Sequence, residues 1–257
     1  MKNLIRNIAV CVFLFSAYGT HAQFFKNLEN QATKDINGLT GKKTTNNNGS
    51  GNSFNNISNT DATAAIKQAL QIGAKNASNR LSTVNGFFGN AAIKVLMPPE
   101  AKNVETSLRE VGMGSHVDKA ILAMNRAAED ASSKAVPIFI DAITHMSIDD
   151  GISILKGGKG AATKFLQNAT TAQLTAAFKP VIKASLDKVN ATKYWAEIFK
   201  AYDKIPFTQK VNTDLPAYVT ERALNGLFIA LAEEENKIRT DPAAQVTDLL
   251  KNVFGGH

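Results

Sequence analysis

The feature that most constrains this fold is a series of helix start signals from Asp61 to the C-terminal end of the chain. Capping residues such as Asp61, Asp214 and Asp241 precede apolar residues at helical spacing, and Pro242 follows at a first helical position. No alternation of strands and helices accompanies them. The sequence therefore predicts a mainly α fold, a single multi-helix domain of about nine helices over residues 61–255.

Two prolines and one extended stretch complicate this pattern. Residues 115–146 are predicted as one long helix that Pro137 kinks, and residues 170–189 as a helix that contains Pro180 and starts at a capping box on Thr170. Residues 91–97 have an extended pattern, and residues 207–211 are the only other candidate strand. The sequence thus leaves room for one short two-stranded element.

The first 22 residues have the order of a secretory signal peptide. Lys2 and Arg6 precede an apolar run over residues 8–18, and residues 20–22 (THA) end at a plausible cleavage point after Ala22. The run is too short to span a bilayer. We therefore expect a periplasmic or secreted protein that starts near Gln23 and has no transmembrane segment in its mature chain.

The composition of the mature chain narrows the classes of function. Cleavage after Ala22 removes Lys2 and Arg6 and no acidic residue, so the formal net charge falls from +7 to +5. This mild excess, on an exported chain, argues against nucleic-acid binding. The only cysteine, Cys11, lies inside the apolar run, so the mature chain has neither disulfides nor thiolate ligands. Residues 23–60 are rich in Asn, Gly and Ser and predict a flexible linker.

Polar residues lie on the apolar side of the predicted long helix. At 100° per residue, Asn125 and Glu129 share the direction of Leu122, while Arg126 lies on the charged side. We therefore expect Glu129 to be buried and paired with Arg239 or another base, because an unpaired buried carboxylate is costly. Such a group is either part of a structural network or a ligand-binding or catalytic carboxylate.

A second acidic group lies near the end of the helix that Asp214 opens. Glu234 and Glu235 flank its apolar face, and Arg239 follows one turn later. A run of glutamates is typical of a solvated helix end. The functional alternative is one polar network of Asn125, Arg126, Glu129, Glu234, Glu235 and Arg239.

The glycine-rich stretch at residues 157–163 is a weak candidate for an anion-binding loop. Gly158, Lys159, Gly160 and Thr163 precede or open a predicted helix, whose first amides could bind an anion. The spacing differs from that of a phosphate-binding loop, so a flexible connector between helices is the competing interpretation. No histidine pair has the spacing of a zinc site, and neither a metal nor a cofactor is predicted.

Four separated segments together resemble the bacterial family called domain of unknown function 4197. They are residues 124–129 (MNRAAE), residues 154–157 with 161–163 (ILKG and AAT), residues 234–239 (EENKIR) and residues 249–255 (LLKNVFG). The resemblance covers about residues 61–255. It implies an exported bacterial protein and implies no activity.

The function predicted from these observations is binding rather than catalysis. We expect a non-enzymatic helical domain that binds an unknown partner or a small ligand in the cell envelope. Two alternatives stay open: a hydrolase-like enzyme with a buried carboxylate cluster, and a carrier of an apolar ligand. Convergent carboxylates in a cleft would favour the enzyme, and a large apolar cavity the carrier.

Overall fold

A computed structural model of the chain describes residues 57–202 and 214–255, and these residues form a helical domain without strands. Two short 3-10 turns, Pro99–Ala101 and Pro242–Ala244, accompany the α-helices. In chain order the helices are α1 (Asn59–Leu81), α2 (Lys102–Glu110), α3 (Gly114–Ser132), α4 (Ala135–Thr144), α5 (Ile148–Lys156), α6 (Ala161–Lys188), α7 (Ala191–Tyr202), α8 (Leu215–Thr240) and α9 (Asp248–Phe254). The predicted mainly α class and the number of helices are confirmed.

Helix α8 lies at the centre of the core and packs against α1, α3 and α6. Its buried residues cover a face wider than the stripe of a surface helix. Around it, α3 packs on α6, and α1 packs on α4 and α5. On α6 the buried residues recur at every fourth position: Leu166, Thr170, Leu174, Phe178, Ile182 and Leu186. This row forms a ridge of the kind that fits into the groove of a neighbouring helix.

The predicted long helix over residues 115–146 is two helices, α3 and α4, which are separated at Ser133 and Lys134. Pro137 lies in the first turn of α4. A proline ring inside a helix would clash with the carbonyl four residues earlier, which here belongs to Ser133. The helix therefore ends before the proline instead of bending around it.

At Thr170 the sequence predicts the start of a helix, and the structure has none there. Helix α6 is continuous from Ala161 to Lys188 and contains Pro180. The fully buried hydroxyl of Thr170 donates to the carbonyl of Leu166 at 2.6 Å, so it bonds within the helix instead of capping one.

Residues 91–93 form a turn and residues 94–98 belong to no helix or strand, so the predicted extended stretch over residues 91–97 is not a strand. The predicted partner strand, residues 207–211, lies outside the described residues, as do the predicted signal peptide and all but the last residues of the predicted linker. Helix α1 begins at Asn59, and its N-cap is Ser58, whose hydroxyl accepts from the amide of Asp61 at 3.1 Å; the predicted cap, Asp61, lies inside the first turn. No helix in the two described ranges combines the length and apolar character needed to cross a bilayer.

Candidate functional site

Asn125 on α3 binds both backbone groups of Val95, as a neighbouring strand would. Its side-chain oxygen accepts from the Val95 amide at 2.9 Å, and its side-chain nitrogen donates to the Val95 carbonyl at 2.8 Å. The same nitrogen donates to the carbonyl of Ile121 at 2.7 Å. These bonds satisfy a buried backbone position that has no strand neighbour. They also explain why a fully buried amide lies on α3.

Glu129, one turn further along α3, binds the backbone earlier in the same connection. The amides of Phe87 and Phe88 both donate to Glu129 Oε1 at 3.1 Å. Glu129 Oε2 accepts from Arg126 Nη1 at 2.5 Å, and Arg126 Nη2 donates to the side chain of Asn85 at 2.9 Å. Glu129 is only 3% exposed, as the helical geometry predicts, and its basic partner is Arg126 instead of Arg239.

The connection that these side chains hold joins α1 to the first 3-10 turn and spans residues 82–98; we call it the 82–98 loop. Helix α8 supports it from the other side. The hydroxyl of Tyr218 donates to the carbonyl of Leu96 at 3.0 Å. Burial raises the pKa of Tyr218, which keeps this donor protonated. Gly226 leaves room for the buried ring of Phe87, because a Cβ atom there would lie 2.5 Å from Phe87 Cε1.

The outer side of the 82–98 loop combines exposed apolar groups with cations. Leu96 is 55% exposed, and Val84 is exposed as well. The half-buried ring of Phe88 lies beneath Lys94, whose Nζ is 3.9 Å from the ring centroid, with the Arg126 guanidinium carbon at 5.9 Å. A long connection ordered in this way by buried polar groups is typical of a functional loop.

The glycine-rich loop does bind an anion, and that anion is Glu235 of the same chain. Glu235 Oε1 accepts from the amides of Gly160 at 3.0 Å and Ala162 at 3.3 Å. Glu235 Oε2 accepts from the amide and hydroxyl of Thr163 at 2.9 and 2.7 Å. These donors are the first amides of α6, where a helix favours a negative charge. Gly158 and Gly160 have positive φ angles of 69° and 83°, and Lys159 between them is exposed.

Arg239 links this carboxylate to two further elements. Its Nε donates to Glu235 Oε1 at 3.0 Å, and its Nη2 donates to the carbonyl of Ile154 at 3.1 Å, near the end of α5. Its guanidinium carbon also lies 5.7 Å from the ring centroid of Phe254 on α9. The pair Glu235–Arg239 therefore fastens the α5–α6 junction to α8.

Glu234 has separate partners. Its Oε2 accepts from Asn76 on α1 at 3.2 Å, and its Oε1 accepts from Lys237 at 2.9 Å. The neighbouring Glu233 pairs with Arg80 at the surface at 2.7 Å. These contacts join α8 to α1.

The six residues proposed as one network thus divide into three sites that share no hydrogen-bond partner. Asn125, Arg126 and Glu129 hold the 82–98 loop, Glu235 and Arg239 hold the α5–α6 junction, and Glu234 joins α1 to α8. Over residues 57–202 and 214–255, no cluster of three His, Cys, Asp or Glu side chains could hold a metal ion. The arrangement suits structural anchoring better than acid–base chemistry.

An apolar cavity of about 20 Å³ lies between α1, α8 and α9, with Glu235 and Arg239 at its edge. This volume holds about one water molecule. Binding pockets for small molecules are on the order of 300–1,000 Å³. The cavity is therefore too small for the lipid-sized ligand that a carrier would need.

Comparison with known proteins gives a family and no activity. Residues 56–255 match the family described as "Protein of unknown function (DUF4197)". The chain belongs to this family. No curated protein and no solved structure matches the sequence.

The segments that carry the DUF4197 resemblance contain most of these anchors. Residues 124–129 hold the 82–98 loop, residues 234–239 contain both buried carboxylates of α8, and residues 161–163 receive Glu235. The sequence did not point to five residues that complete these sites: the donors Asn76, Phe88 and Tyr218, the acceptor Asn85, and the closely packed Gly226. A lone glycine inside a strongly helical pattern was the one signal available for Gly226, since it indicates close packing.

Proposed function

We propose that this DUF4197 protein is an exported, non-enzymatic binding domain that recognises a partner or small ligand of the cell envelope through the 82–98 loop. The observation that carries the proposal is that the buried polar groups of α3 bond to the backbone of this loop. Asn125 bonds both backbone groups of Val95, and Glu129 bonds two successive amides.

Pre-organisation is the physical reason to favour binding. A loop that is already ordered loses less conformational entropy when it binds, so more of its contact energy contributes to affinity. Its outer side offers Leu96, Val84 and the Phe88 ring with Lys94, a mixture of apolar and cationic contacts. The carboxylates that a hydrolase would need accept instead from backbone amides, Asn76 and neighbouring basic side chains, which supports binding over hydrolysis.

Site-specific photo-crosslinking in the native host tests the proposal. A photoreactive residue at Leu96 should give a discrete crosslinked product in envelope fractions. The same residue at Ile148, which is 49% exposed and lies beside Thr63 near the start of α1, at the opposite end of that helix from the loop, is the matched control and should give none. Equal labelling at both positions, or none at Leu96, would contradict the assignment of the loop.

Export is tested separately. The order of basic, apolar and small residues over residues 1–22 supports it. N-terminal analysis of protein purified from its host should find a start at or near Gln23. An intact Met1 on that material would contradict export and leave the role of the 82–98 loop unaffected.

A further inference from the structure

The C-terminal helix α9 is an amphipathic helix seated in a groove of the domain. Leu250, Val253 and Phe254 are buried, at most 6% exposed, against α1 and α8. Their spacing is i, i+3 and i+4, which places them on one helix face. Asp248 and Lys251 on the other face are exposed. This is the geometry of a helix bound in a groove.

Helix α9 depends on the groove for its helical structure. It has seven residues, far fewer than an isolated helix needs for stability in water. Its connection to α8 includes a 3-10 turn at Pro242–Ala244, and Val246 in that connection is exposed. Undocking would therefore unfold α9 without breaking any of the contacts among α1, α3, α6 and α8.

Few polar contacts hold the segment in place. Gln245 Nε2 donates to the carbonyl of Ile238 at 3.2 Å, and the Thr247 hydroxyl donates to Gln68 at 2.8 Å. The Arg239 guanidinium carbon also lies 5.7 Å from the ring centroid of Phe254.

The fit of α9 in the groove is imperfect in two places. The cavity of about 20 Å³ lies at this contact, and its lining includes Ile66, Leu70, Leu231, Ile238 and Phe254. The side-chain oxygen of Gln245 is buried and accepts no hydrogen bond from the described residues. A void and an unsatisfied acceptor both reduce the free energy gained by docking.

We propose that α9 is a displaceable occupant of a helix-binding groove between α1 and α8, and that the groove receives an amphipathic helix from a partner protein. The α9 segment itself defines the chemistry of that helix: aliphatic residues at i and i+3 and an aromatic residue at i+4. An aromatic residue is favoured there because the Arg239 guanidinium carbon lies 5.7 Å from the ring centroid at that position, within the range of a cation–π contact.

Displacement of α9 would also affect the α5–α6 junction. Arg239 contacts Phe254, Glu235 and the Ile154 carbonyl, so one side chain connects the groove to the α5–α6 junction. A partner helix without the aromatic residue would leave Arg239 without its ring contact. Specificity for the partner therefore depends on the same residue that fastens the α5–α6 junction to α8.

Peptide binding to the full chain tests the proposal. The probe is a fluorescein-labelled peptide of residues 244–255, measured by anisotropy with the wild type and with Phe254→Ala. In the wild type the peptide can bind only those molecules in which α9 has left the groove, and this lowers the apparent affinity. The peptide should therefore bind Phe254→Ala at least roughly tenfold more tightly than the wild type. Lys251→Ala, on the exposed face of α9, is the matched control and should bind like the wild type.

Three further measurements keep the test decisive. A peptide carrying its own Phe254→Ala change should lose binding. Val253→Ala should act like Phe254→Ala if the latter variant fails to fold by circular dichroism. In the unmodified protein, hydrogen exchange should show amides of residues 250–255 opening at least about tenfold more often than the core of α8.

Equal peptide affinity for the wild type and for a folded Phe254→Ala or Val253→Ala variant would overturn the proposal. So would equal exchange protection of α9 and α8. Neither result bears on the 82–98 loop, whose crosslinking test uses different residues.

Discussion

Glu129 and Glu233 are both helix glutamates paired with an arginine, Glu129 with Arg126 on the same helix and Glu233 with Arg80 on α1, but their burial differs. The Glu129 side chain is 4% exposed and that of Glu233 is 42% exposed. Glu129 also accepts from two backbone amides, which would lose their partner if it were removed. Removing the glutamate should therefore cost more folding free energy at position 129 than at position 233.

We expect Glu129→Ala to lower the free energy of unfolding by about 3 kcal/mol, because it leaves two loop amides and Arg126 without their acceptor. Glu129→Gln should cost less, since one oxygen still accepts. Glu233→Ala, the matched control, should change stability by less than about 1 kcal/mol. Urea denaturation measures all three. Equal effects of Glu129→Ala and Glu233→Ala would contradict an anchoring role for Glu129.

At the scale of elements, two glycines show how closely helices approach their neighbours. A Cβ at Gly226 on α8 would lie 2.5 Å from the Phe87 ring and 3.2 Å from Ile93 Cβ, both in the 82–98 loop. A Cβ at Gly73 on α1 would lie 3.4 Å from Glu234 Cβ, an ordinary contact. Only the first glycine is required by packing.

Gly226→Ala should therefore destabilise the protein by about 1–3 kcal/mol, the usual cost of overpacking. Gly73→Ala should be neutral or stabilise it by up to about 1 kcal/mol, because alanine is the better helix former. Thermal unfolding of the two variants measures the contrast. If both behave alike, the 82–98 loop is not packed against α8 as described.

The two prolines give a second contrast between elements. Pro180 lies inside α6, where it removes a backbone hydrogen bond, while Pro137 lies in the first turn of α4, where amides have no helical acceptor.

We expect Pro180→Ala to raise the free energy of unfolding by about 1–3 kcal/mol. Pro137→Ala should change it by less than about 1 kcal/mol. Chemical denaturation of both variants tests this, and a larger gain for Pro137→Ala would contradict the helix boundaries at residues 133–135.

At the scale of the whole molecule, capping carboxylates make the fold sensitive to acid. The backbone amide of Ala217 and then Lys179 lower the pKa of Asp214 at the start of α8. Bonds from the Ser147 side chain and backbone lower the pKa of Asp150 at the start of α5. A carboxylate with a lowered pKa stabilises the fold above its ordinary pKa of 3.8 and loses that contribution as pH falls through the lowered value.

Stability should therefore be nearly constant between about pH 7 and pH 5 and fall below about pH 4. Asp214→Asn keeps a good capping residue and removes the charge, so it should cost up to about 1 kcal/mol at pH 7. The difference from the wild type should narrow as pH drops below 3.8. Denaturation curves at several pH values measure both effects, and a difference that grows in acid would contradict this sign.

Local patterns in the sequence determined the helical class, the caps at Asp214 and Asp241 and the buried position of Glu129, but not the cap of α1, which is Ser58 instead of Asp61. These features depend on residues within a few positions of one another, so they can be predicted without a fold. The clash between Pro137 and the carbonyl of Ser133 is equally local, and the division of the long helix was available from the sequence in principle. Leu122 marks the limit of this approach: it was placed on the apolar stripe and is 37% exposed.

Only the tertiary structure decided which distant groups meet. A helical wheel gives directions relative to other residues of the same helix, not the direction of the core. Apart from Arg126 and Arg239 on the same helices, the partners of the buried carboxylates are 41 and 42 residues away for Glu129 and from 72 to 75 residues away for Glu235. Such pairings follow from the packing of α3 and α8 against the rest of the domain. For that reason the sequence pointed to these polar residues as candidates but could not divide them into three separate sites.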